Sequence, residues 1–233
     1  MIMSQYEKAW QAVRARIAVA AAAAHRDPES IALVVVSKTF PAQAVRAVYA
    51  LGQRAFGENY VQEAMRKRDE LKDLAGLEWR LIGPLQSNKA RLAAHTFGVV
   101  ETIDRLSIAE KLSKECAAMP RTLDVLVQVN ASGEGTKSGV PPAEAPLLAQ
   151  AIARLPGLRV RGIMGIPEPI AEVAKQRAHF RVLRECYDMC RAAGLEVDTL
   201  SMGMSADLEA AILEGATEVR VGTAIFGSRE ASG

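Results

Sequence analysis

Short apolar segments rich in β-branched residues recur along this chain, and stretches of helical character separate them. The first, IALVVV at residues 31–36, is apolar without a break, as is typical of a parallel strand buried on both faces. The eight segments span residues 31–38, 55–58, 78–83, 98–103, 124–130, 159–166, 199–204 and 218–226. Eight strands that alternate with helices predict an α/β fold, namely a single closed (β/α)8 TIM barrel. A doubly wound open sheet is the alternative, because a strand count alone does not establish closure.

The segment before the first strand predicts one extra N-terminal helix. Ser4 and Glu7 have capping-box spacing, which places the start of this helix at Ser4. Apolar residues then recur at steps of three and four and mark one buried stripe, formed by Tyr6, Trp10, Val13, Ile17 and Ala21. No linker, repeat or low-complexity segment divides the chain, so we expect residues 1–233 to form a single domain.

Composition and charge narrow the classes of function. The 29 basic and 27 acidic residues are balanced, which gives no electrostatic reason to expect nucleic acid or a membrane surface as a partner. The three cysteines, Cys116, Cys186 and Cys190, occur with only three histidines, so the sequence predicts no metal site. Free thiols are typical of a reducing compartment, and we therefore expect a cytoplasmic protein.

A lysine, Lys38, ends the first predicted strand, at the end where such barrels carry their working residues. Partial burial and nearby positive charge lower the pKa of a lysine, and a deprotonated amine is what Schiff-base chemistry requires. The alternative interpretation is a lysine that extends into solvent or pairs with Glu58.

Small residues with free backbone N–H groups follow the last two strands. Gly222-Thr223 and the segment Ser201-Met-Gly-Met-Ser205 lie where barrels of this class often bind phosphate. The alternative is that these glycines only permit tight turns. Arg220 precedes Gly222 by two residues and so lies on the same face of its strand, either towards the barrel mouth or as a surface arginine paired with a carboxylate. Asn59 has a side chain that suits a ligand, but equally suits a helix cap.

Six segments, in this order, resemble the pyridoxal phosphate homeostasis protein family. They are VVVSKTFP at 34–41, FGENYVQE at 56–63, LIGPLQSNK at 81–89, VNASGEGTKSG at 129–139, LSMGMSADLEAAI at 200–212 and VRVGTAIFGSRE at 219–230. The resemblance runs from about residue 31 to residue 230. Family members often have Trp-His-Phe where this chain has Trp79-Arg80-Leu81, a difference in the lining near the third strand.

The resemblance implies a barrel similar to the domain that binds pyridoxal 5′-phosphate (PLP) in bacterial alanine racemase and eukaryotic ornithine decarboxylase. It implies that Lys38 carries PLP as a Schiff base and that Asn59 lies near the ring. It further implies that Arg220 faces the pyridine nitrogen. The residues that it assigns to the phosphate are Ser201, Gly203, Gly222 and Thr223. Lys137 is a candidate for PLP passage or transfer, and a solvated loop lysine is the alternative.

The expected function is that of a non-catalytic PLP carrier in intracellular PLP homeostasis, which transiently delivers the cofactor to apo PLP-dependent enzymes. An arginine opposite the pyridine nitrogen makes the ring a poorer electron sink. We also expect a monomer, because the chain ends soon after the barrel and leaves no room for the second domain of a racemase. A small racemase-like PLP enzyme is the alternative, and a Schiff-base aldolase that uses no PLP is a third possibility.

Overall fold

The computed structural model describes residues 2–132, 138–167 and 172–227, which contain a closed barrel of eight parallel strands. The strands are β1 (Ala32–Val36), β2 (Ala55–Glu58), β3 (Glu78–Leu81), β4 (Val99–Ile103), β5 (Leu123–Val129), β6 (Leu158–Gly165), β7 (Thr199–Ser201) and β8 (Glu218–Val221). They follow chain order around the barrel, and β8 pairs with β1. The predicted TIM barrel is confirmed, and the open-sheet alternative is wrong.

One helix precedes the barrel, and a helix follows each strand. In the described ranges these are α1 (Ile2–Ala23), α2 (Ala42–Tyr49), α3 (Val61–Glu70), α4 (Ala90–Thr96), α5 (Leu106–Cys116), α6 (Ala145–Ala153), α7 (Val173–Ala192), α8 (Leu208–Leu213) and α9 (Thr223–Phe226). Single 3-10 turns occur at Pro28–Ser30, Ser87–Lys89 and Pro142–Glu144. None of the helices in these ranges combines the length and the apolar character that crossing a membrane requires.

The extra N-terminal helix α1 packs against α2, α8 and α9. Every residue of its predicted apolar stripe is buried or packs partly buried against the core, and the ring of Tyr6 meets the ring of Phe226 edge-on at 5.5 Å. The prediction that the helix starts at Ser4 is wrong, because α1 already begins at Ile2. The extent of α1 therefore follows the packing of its apolar stripe and not the capping-box spacing of Ser4 and Glu7.

Apolar residues fill two layers, because successive residues of a strand face opposite sides. Leu33 and Val35 belong to the core between the strands and the helices. Val34 lies between them in the sequence and is also fully buried. A Cβ atom at Gly57 would lie 3.1 Å from the side chain of Val34 and 2.9 Å from that of Ile82, so these three residues pack closely. Each such buried Val or Leu contributes about 1.5–3 kcal/mol, which holds the strand ends in place.

The last two strands end earlier than the sequence suggested. The predicted strand over 218–226 stops at Val221, and residues Thr223–Phe226 turn into α9. The backbone N–H groups of Ile225 and Phe226 both donate to the carbonyl oxygen of Gly222, which closes this helical turn. The strand predicted over 199–204 likewise ends at Ser201. The shortening places Gly203 and Gly222 in turns at one end of the barrel, with Thr223 as the first residue of α9.

Candidate functional site

The mouth of the barrel brings together residues that follow three neighbouring strands. In the register of β1 with β8, Val35 pairs with Val221, and in the register of β1 with β2, Val36 pairs with Gly57. Lys38 therefore leaves the barrel between Asn59, which follows β2, and the turn at Gly222, which follows β8. The predicted Lys38, Asn59, Gly222 and Thr223 thus meet at the C-terminal face.

Lys38 sits at the second position of a tight turn. The N–H of Phe40 donates to the carbonyl of Ser37 at 3.1 Å, and Thr39 has a φ of 68°. A left-handed φ is uncommon for a β-branched residue, and glycine usually fills this position of such a turn. The N–H of Thr39 donates to Oε1 of Glu63 at 2.5 Å. Lys38 itself is half-buried.

A buried ion cluster lies beneath this turn. The ammonium of Lys67 donates to the carbonyl of Ser37 at 2.7 Å, to Glu58 at 2.6 Å and to Glu63 at 2.8 Å. The hydroxyl of Ser37 also donates to Oε1 of Glu58, at 2.6 Å. Burial raises the pKa of the Glu58 carboxyl, although the charge of Lys67 opposes this shift. Glu58, which the sequence offered as a partner for Lys38, thus forms its buried ion pair with Lys67.

The turn after β8 approaches the turn after β7. A Cβ atom at Gly222 would lie 3.1 Å from the carbonyl oxygen of Val36, so a glycine lets β1 and this turn come close. The N–H of Ala224 donates to the hydroxyl oxygen of Ser205 at 3.3 Å. Thr223 is exposed beside them. Ser205, Gly222 and Thr223 therefore surround one point of the mouth with small side chains, hydroxyl groups and backbone donors.

Ser201 and Gly203 lie deeper than this point. Ser201 is fully buried, and its hydroxyl donates to Oε2 of Glu101 at 2.7 Å. Gly203 has a φ of 93°, and a Cβ atom there would lie 2.5 Å from the Cβ of Ala211. Its carbonyl accepts the N–H of Arg220 at 2.9 Å. In the structure, Ser201 and Gly203 support the residues around the mouth.

Arg220 is buried at the floor of the mouth, with 3% of its surface exposed. Its guanidinium donates to the hydroxyl of Ser201 at 2.5 Å and to the carbonyl of Gly165 at 2.7 Å. It also lies 4.0 Å from Oε2 of Glu101. Of the two interpretations of Arg220, the interior position is therefore confirmed, and the surface position is wrong.

A second arginine completes a charged layer inside the barrel. Arg80 of β3 forms an ion pair with Glu218 of β8, and its guanidinium lies 3.9 Å from Oε1 of Glu101. β3 and β8 are not neighbours in the barrel, so this contact crosses the interior. Burial and the charge of Glu218 raise the pKa of the Glu101 carboxyl to about 8, although Arg220 and Arg80 oppose the shift.

Asn59 is held through its backbone. A Cβ atom at Gly83 would lie 2.3 Å from the carbonyl oxygen of Asn59 and 2.6 Å from its Cα, so the ends of β2 and β3 touch here. The N–H of Ile82 donates to the carbonyl of Glu58 at 2.9 Å and fixes the same junction. Neither contact uses the amide of the Asn59 side chain, which is half-buried.

Sequence reasoning left several residues of this region without a role. Ser205 ended the small-residue segment that we singled out, but only Ser201 and Gly203 were assigned from it. Glu101 was given no role, because its partners Ser201, Arg80 and Arg220 come from distant strands. Lys67 showed only its i, i+4 spacing to Glu63 on α3, and its bonds to Ser37 and Glu58 depend on the fold. Lys137 lies outside the described residues. Within the described residues, no three His, Cys, Asp or Glu side chains are grouped as a metal ion would require.

Comparison with known proteins finds relatives along nearly the whole chain. The family described as "Alanine racemase, N-terminal domain" matches residues 9–230. A pyridoxal phosphate homeostasis protein of Pseudomonas aeruginosa is 56% identical over 218 residues, which are 94% of this chain and 93% of the relative. The chain belongs to the pyridoxal phosphate homeostasis protein family. The resemblance found in the sequence is thereby confirmed.

Other members of the pyridoxal phosphate homeostasis protein family are similar along nearly their whole length. That of Escherichia coli is 49% identical over 222 residues, 94% of this chain and 95% of its own. PipY of Synechococcus elongatus, solved with PLP bound, is 36% identical with a TM-score of 0.85, covering 96% of this chain and 100% of PipY. An alanine racemase of Clostridium difficile shares the fold, with a TM-score of 0.78, 14% identity and coverage of 98% of this chain and 58% of the racemase.

Proposed function

We infer that this protein binds PLP in the mouth of its barrel and acts in the homeostasis of that cofactor. The observation that carries the inference is the register of β8, β1 and β2, which brings Lys38, Arg220 and Gly222 to one end of the barrel. It is supported by the relatives named pyridoxal phosphate homeostasis proteins and by PipY, which has PLP bound.

The donors around the mouth fit PLP by their chemistry. Lys38 supplies a half-buried amine, Arg220 a buried guanidinium, and Ser205 and Thr223 supply hydroxyl groups beside a glycine turn. We propose that the Lys38 nitrogen forms a C=N bond with the aldehyde carbon of PLP while one water molecule leaves. Addition of water reverses this link, so the same lysine binds and releases the cofactor.

The phosphate group is proposed to lie at the turns after β7 and β8. Thr223 and Ser205 offer hydroxyl donors, and the turn at Gly222 leaves room for a dianion near backbone N–H groups. The carbonyl of Gly203 accepts the N–H of Arg220, two residues before Gly222, and so joins the segment after β7 to β8. Ser201 supports the site by fixing the guanidinium of Arg220, because its hydroxyl already bonds Glu101 and Arg220.

Arg220 is proposed to face the pyridine nitrogen, with Asn59 near the ring on the other side of Lys38. A guanidinium is a hydrogen-bond donor and keeps its proton at all physiological pH values. Its charge disfavours a proton on the pyridine nitrogen, so the ring withdraws electrons less strongly. This arrangement suits a protein that holds the cofactor better than one that uses it for strong catalysis.

We therefore propose a non-catalytic carrier, with a small racemase-like enzyme as the second candidate. The shared barrel of alanine racemase is the observation that favours the second. The two differ in turnover: racemisation of D- or L-alanine by the PLP-loaded protein at about one per second or faster would establish the enzyme. A carrier leaves either enantiomer unchanged over the same time.

Composition and architecture support proposals for the cellular location and the oligomeric state of the protein. The buried free thiols Cys116, Cys186 and Cys190 suit the cytoplasm, and the single barrel suits a one-domain monomer. Apo PLP-dependent enzymes are the proposed transient partners. Sedimentation of the loaded protein, alone and with a recipient, measures both the monomeric state and the partnership.

Two measurements test the carrier. The wild-type protein mixed with PLP is expected to turn yellow. Borohydride is expected to reduce the C=N bond, remove the colour and leave a stable pyridoxyl phosphate label on Lys38. Lys38→Ala is expected to fold but to stay colourless, while Lys114→Ala, a change at an exposed position of α5, behaves as wild type. Activation of an apo-enzyme by the loaded protein, compared with free PLP at equal concentration, then measures delivery. Label on another lysine would refute the assignment.

A further inference from the structure

The buried lysine Lys67 lies close to the backbone of the residue before Lys38. Lys67 lies on α3, is 5% exposed, and donates hydrogen bonds to three acceptors. Lysine is rarely buried unless its charge is paired, and here Glu58 and Glu63 supply the countercharges. The third acceptor, the carbonyl of Ser37, adds no countercharge. It belongs to the turn that carries the proposed PLP lysine.

The turn that receives this hydrogen bond has a backbone conformation that its own residues disfavour. Thr39 has a φ of 68°, and its side chain is branched at Cβ. Such a conformation persists only where surrounding contacts determine it. Besides the Phe40 N–H bond to the Ser37 carbonyl, two such contacts are the N–H of Thr39 on Glu63, at 2.5 Å, and the ring of Phe40 stacked on Phe226, with centroids 4.7 Å apart.

Lys67 joins the contacts on both sides of Lys38. It binds the carbonyl of Ser37 directly, and through Glu63 it orients the acceptor of the Thr39 N–H. The residue between these two anchored groups is Lys38. We propose that Lys67 is a positioning residue, which fixes the turn of residues 37–40 and so directs the Lys38 amine into the barrel mouth. This inference rests on the function proposed above.

A purely structural role for Lys67 makes a different prediction. If the ammonium only neutralised Glu58 and Glu63, its loss would weaken the fold and leave the chemistry of Lys38 in the folded fraction unchanged. If it positions the turn, its loss slows the reaction of Lys38 even in fully folded protein. A residue that adopts a positive φ without strain would then restore the rate, and glycine is that residue.

The main variant is Lys67→Met, which keeps the length of the side chain and removes its three donors. The probes are PLP and pyridoxal, which carries the same aldehyde without the phosphate. We expect the folded variant to form the Schiff base about tenfold more slowly with both probes, the factor that relaxation of one strained residue suggests. A defect in the phosphate site would instead slow the reaction with PLP and leave the reaction with pyridoxal unchanged.

Two further variants complete the design. Arg66→Met removes one positive charge from an exposed position of the same helix and is expected to react as wild type. Thr39→Gly in the Lys67→Met background is expected to recover most of the lost rate. The pH profile of the reaction is recorded for each protein, because a misdirected amine changes the rate at every pH, whereas a changed local charge shifts the profile.

The outcomes separate this inference from the proposed function. A wild-type protein that forms no Schiff base with PLP would remove the proposed function and this inference with it. A normal wild type together with a Lys67→Met variant that reacts at the wild-type rate, or that Thr39→Gly does not rescue, would overturn this inference alone. If Lys67→Met does not fold, Glu63→Ala removes the acceptor of the Thr39 N–H, and an unchanged rate in that variant is equally decisive.

Discussion

At the scale of single residues, Arg220 shows how a buried charge is anchored at the place where the PLP ring is proposed to bind. Its guanidinium is anchored by the hydroxyl of Ser201 and the carbonyl of Gly165, and Glu101 lies 4.0 Å away. Removing one partner of a buried charged group is costly, because the other partner stays desolvated. The side chain is therefore held in one place by protein contacts, which would reduce the entropy lost if PLP binds there as proposed.

Substitution of Arg220 by lysine tests this anchoring. Lysine keeps the charge but lacks the planar fork that reaches Ser201 and Gly165 together. Loss of a charge-assisted hydrogen bond of about 1.5–3 kcal/mol predicts PLP binding weaker by about 10- to 100-fold. Titration of the yellow absorbance with PLP measures the affinity, and Arg105→Lys at a more exposed position is the control. Equal affinities for Arg220→Lys and wild type would contradict the proposed ring contact.

The two serines of the segment after β7 are expected to differ in their effect. Ser205→Ala removes a hydroxyl beside Thr223 and is predicted to weaken PLP several-fold while leaving pyridoxal binding nearly unchanged. Ser201→Ala frees one arm of Arg220 and is predicted to weaken PLP and pyridoxal by similar factors. Affinities of both variants for both compounds give the comparison. If Ser201→Ala lost affinity for PLP alone, Ser201 would be assigned to the phosphate group and not to the support of Arg220.

At the scale of elements, the sequence predicted which segments are strands better than where each strand ends. Continuous apolar runs identify buried parallel strands, and β2 lies at the predicted residues. The segment after Val221 is also apolar, and only the hydrogen bonds to the Gly222 carbonyl turn it into α9. Composition does not encode such a turn. In the same way, the bonds of Lys67 to Ser37 and Glu58, and those of Glu101, join residues of different elements, and of these partners only the i, i+4 pair of Lys67 with Glu63 is local.

The junction of β5, β6 and β7 gives a prediction at this scale. The register of β5 with β6 shifts between Val125 and Leu126, and the partner residue Gly162 has a φ of 153°. A Cβ atom there would lie 1.8 Å from the carbonyl oxygen of Thr199. Gly162→Ala combines backbone strain with a clash against the backbone of β7, so we expect it to lower the free energy of unfolding by several kcal/mol, about 3 or more.

Gly194 provides the matched control for that substitution. Its φ is 83°, but within the described ranges a Cβ atom there would meet nothing within 4 Å beyond its own chain neighbours. Gly194→Ala therefore tests backbone strain alone and is expected to cost about 1–2 kcal/mol. Urea unfolding of both variants measures the difference between them. Similar losses of unfolding free energy in the two variants would mean that the backbone of β6 shifts and relieves the clash with Thr199.

At the scale of the whole molecule, the barrel encloses charge as well as apolar side chains. Arg80 and Arg220 face Glu101 and Glu218 across the interior, so two positive groups meet two carboxyl groups. The layer lies at the level of Arg220, so it determines the electrostatic environment under the mouth.

This layer predicts how the stability of the whole barrel depends on pH. Burial, followed by the charge of Glu218, raises the pKa of Glu101 from 4.5 to about 8. The folded protein therefore binds this proton more tightly than the unfolded chain, and its contribution to stability is complete below about pH 4.5. That contribution is lost as the pH rises through 8, by at most about 1.4 kcal/mol per pH unit.

Glu101→Gln keeps an oxygen acceptor for the Ser201 hydroxyl and removes the titration. In the protein without PLP, we expect the free energy of unfolding to fall less steeply between pH 5 and 8 in this variant than in the wild type, as measured by urea unfolding at fixed pH values. Glu58, whose pKa burial also raises, leaves a residual slope of the same sign. Glu110→Gln, at an exposed position of α5, is expected to keep the wild-type slope. A Glu101→Gln slope equal to that of the wild type would show that Glu101 stays ionised, held by Arg80 and Arg220.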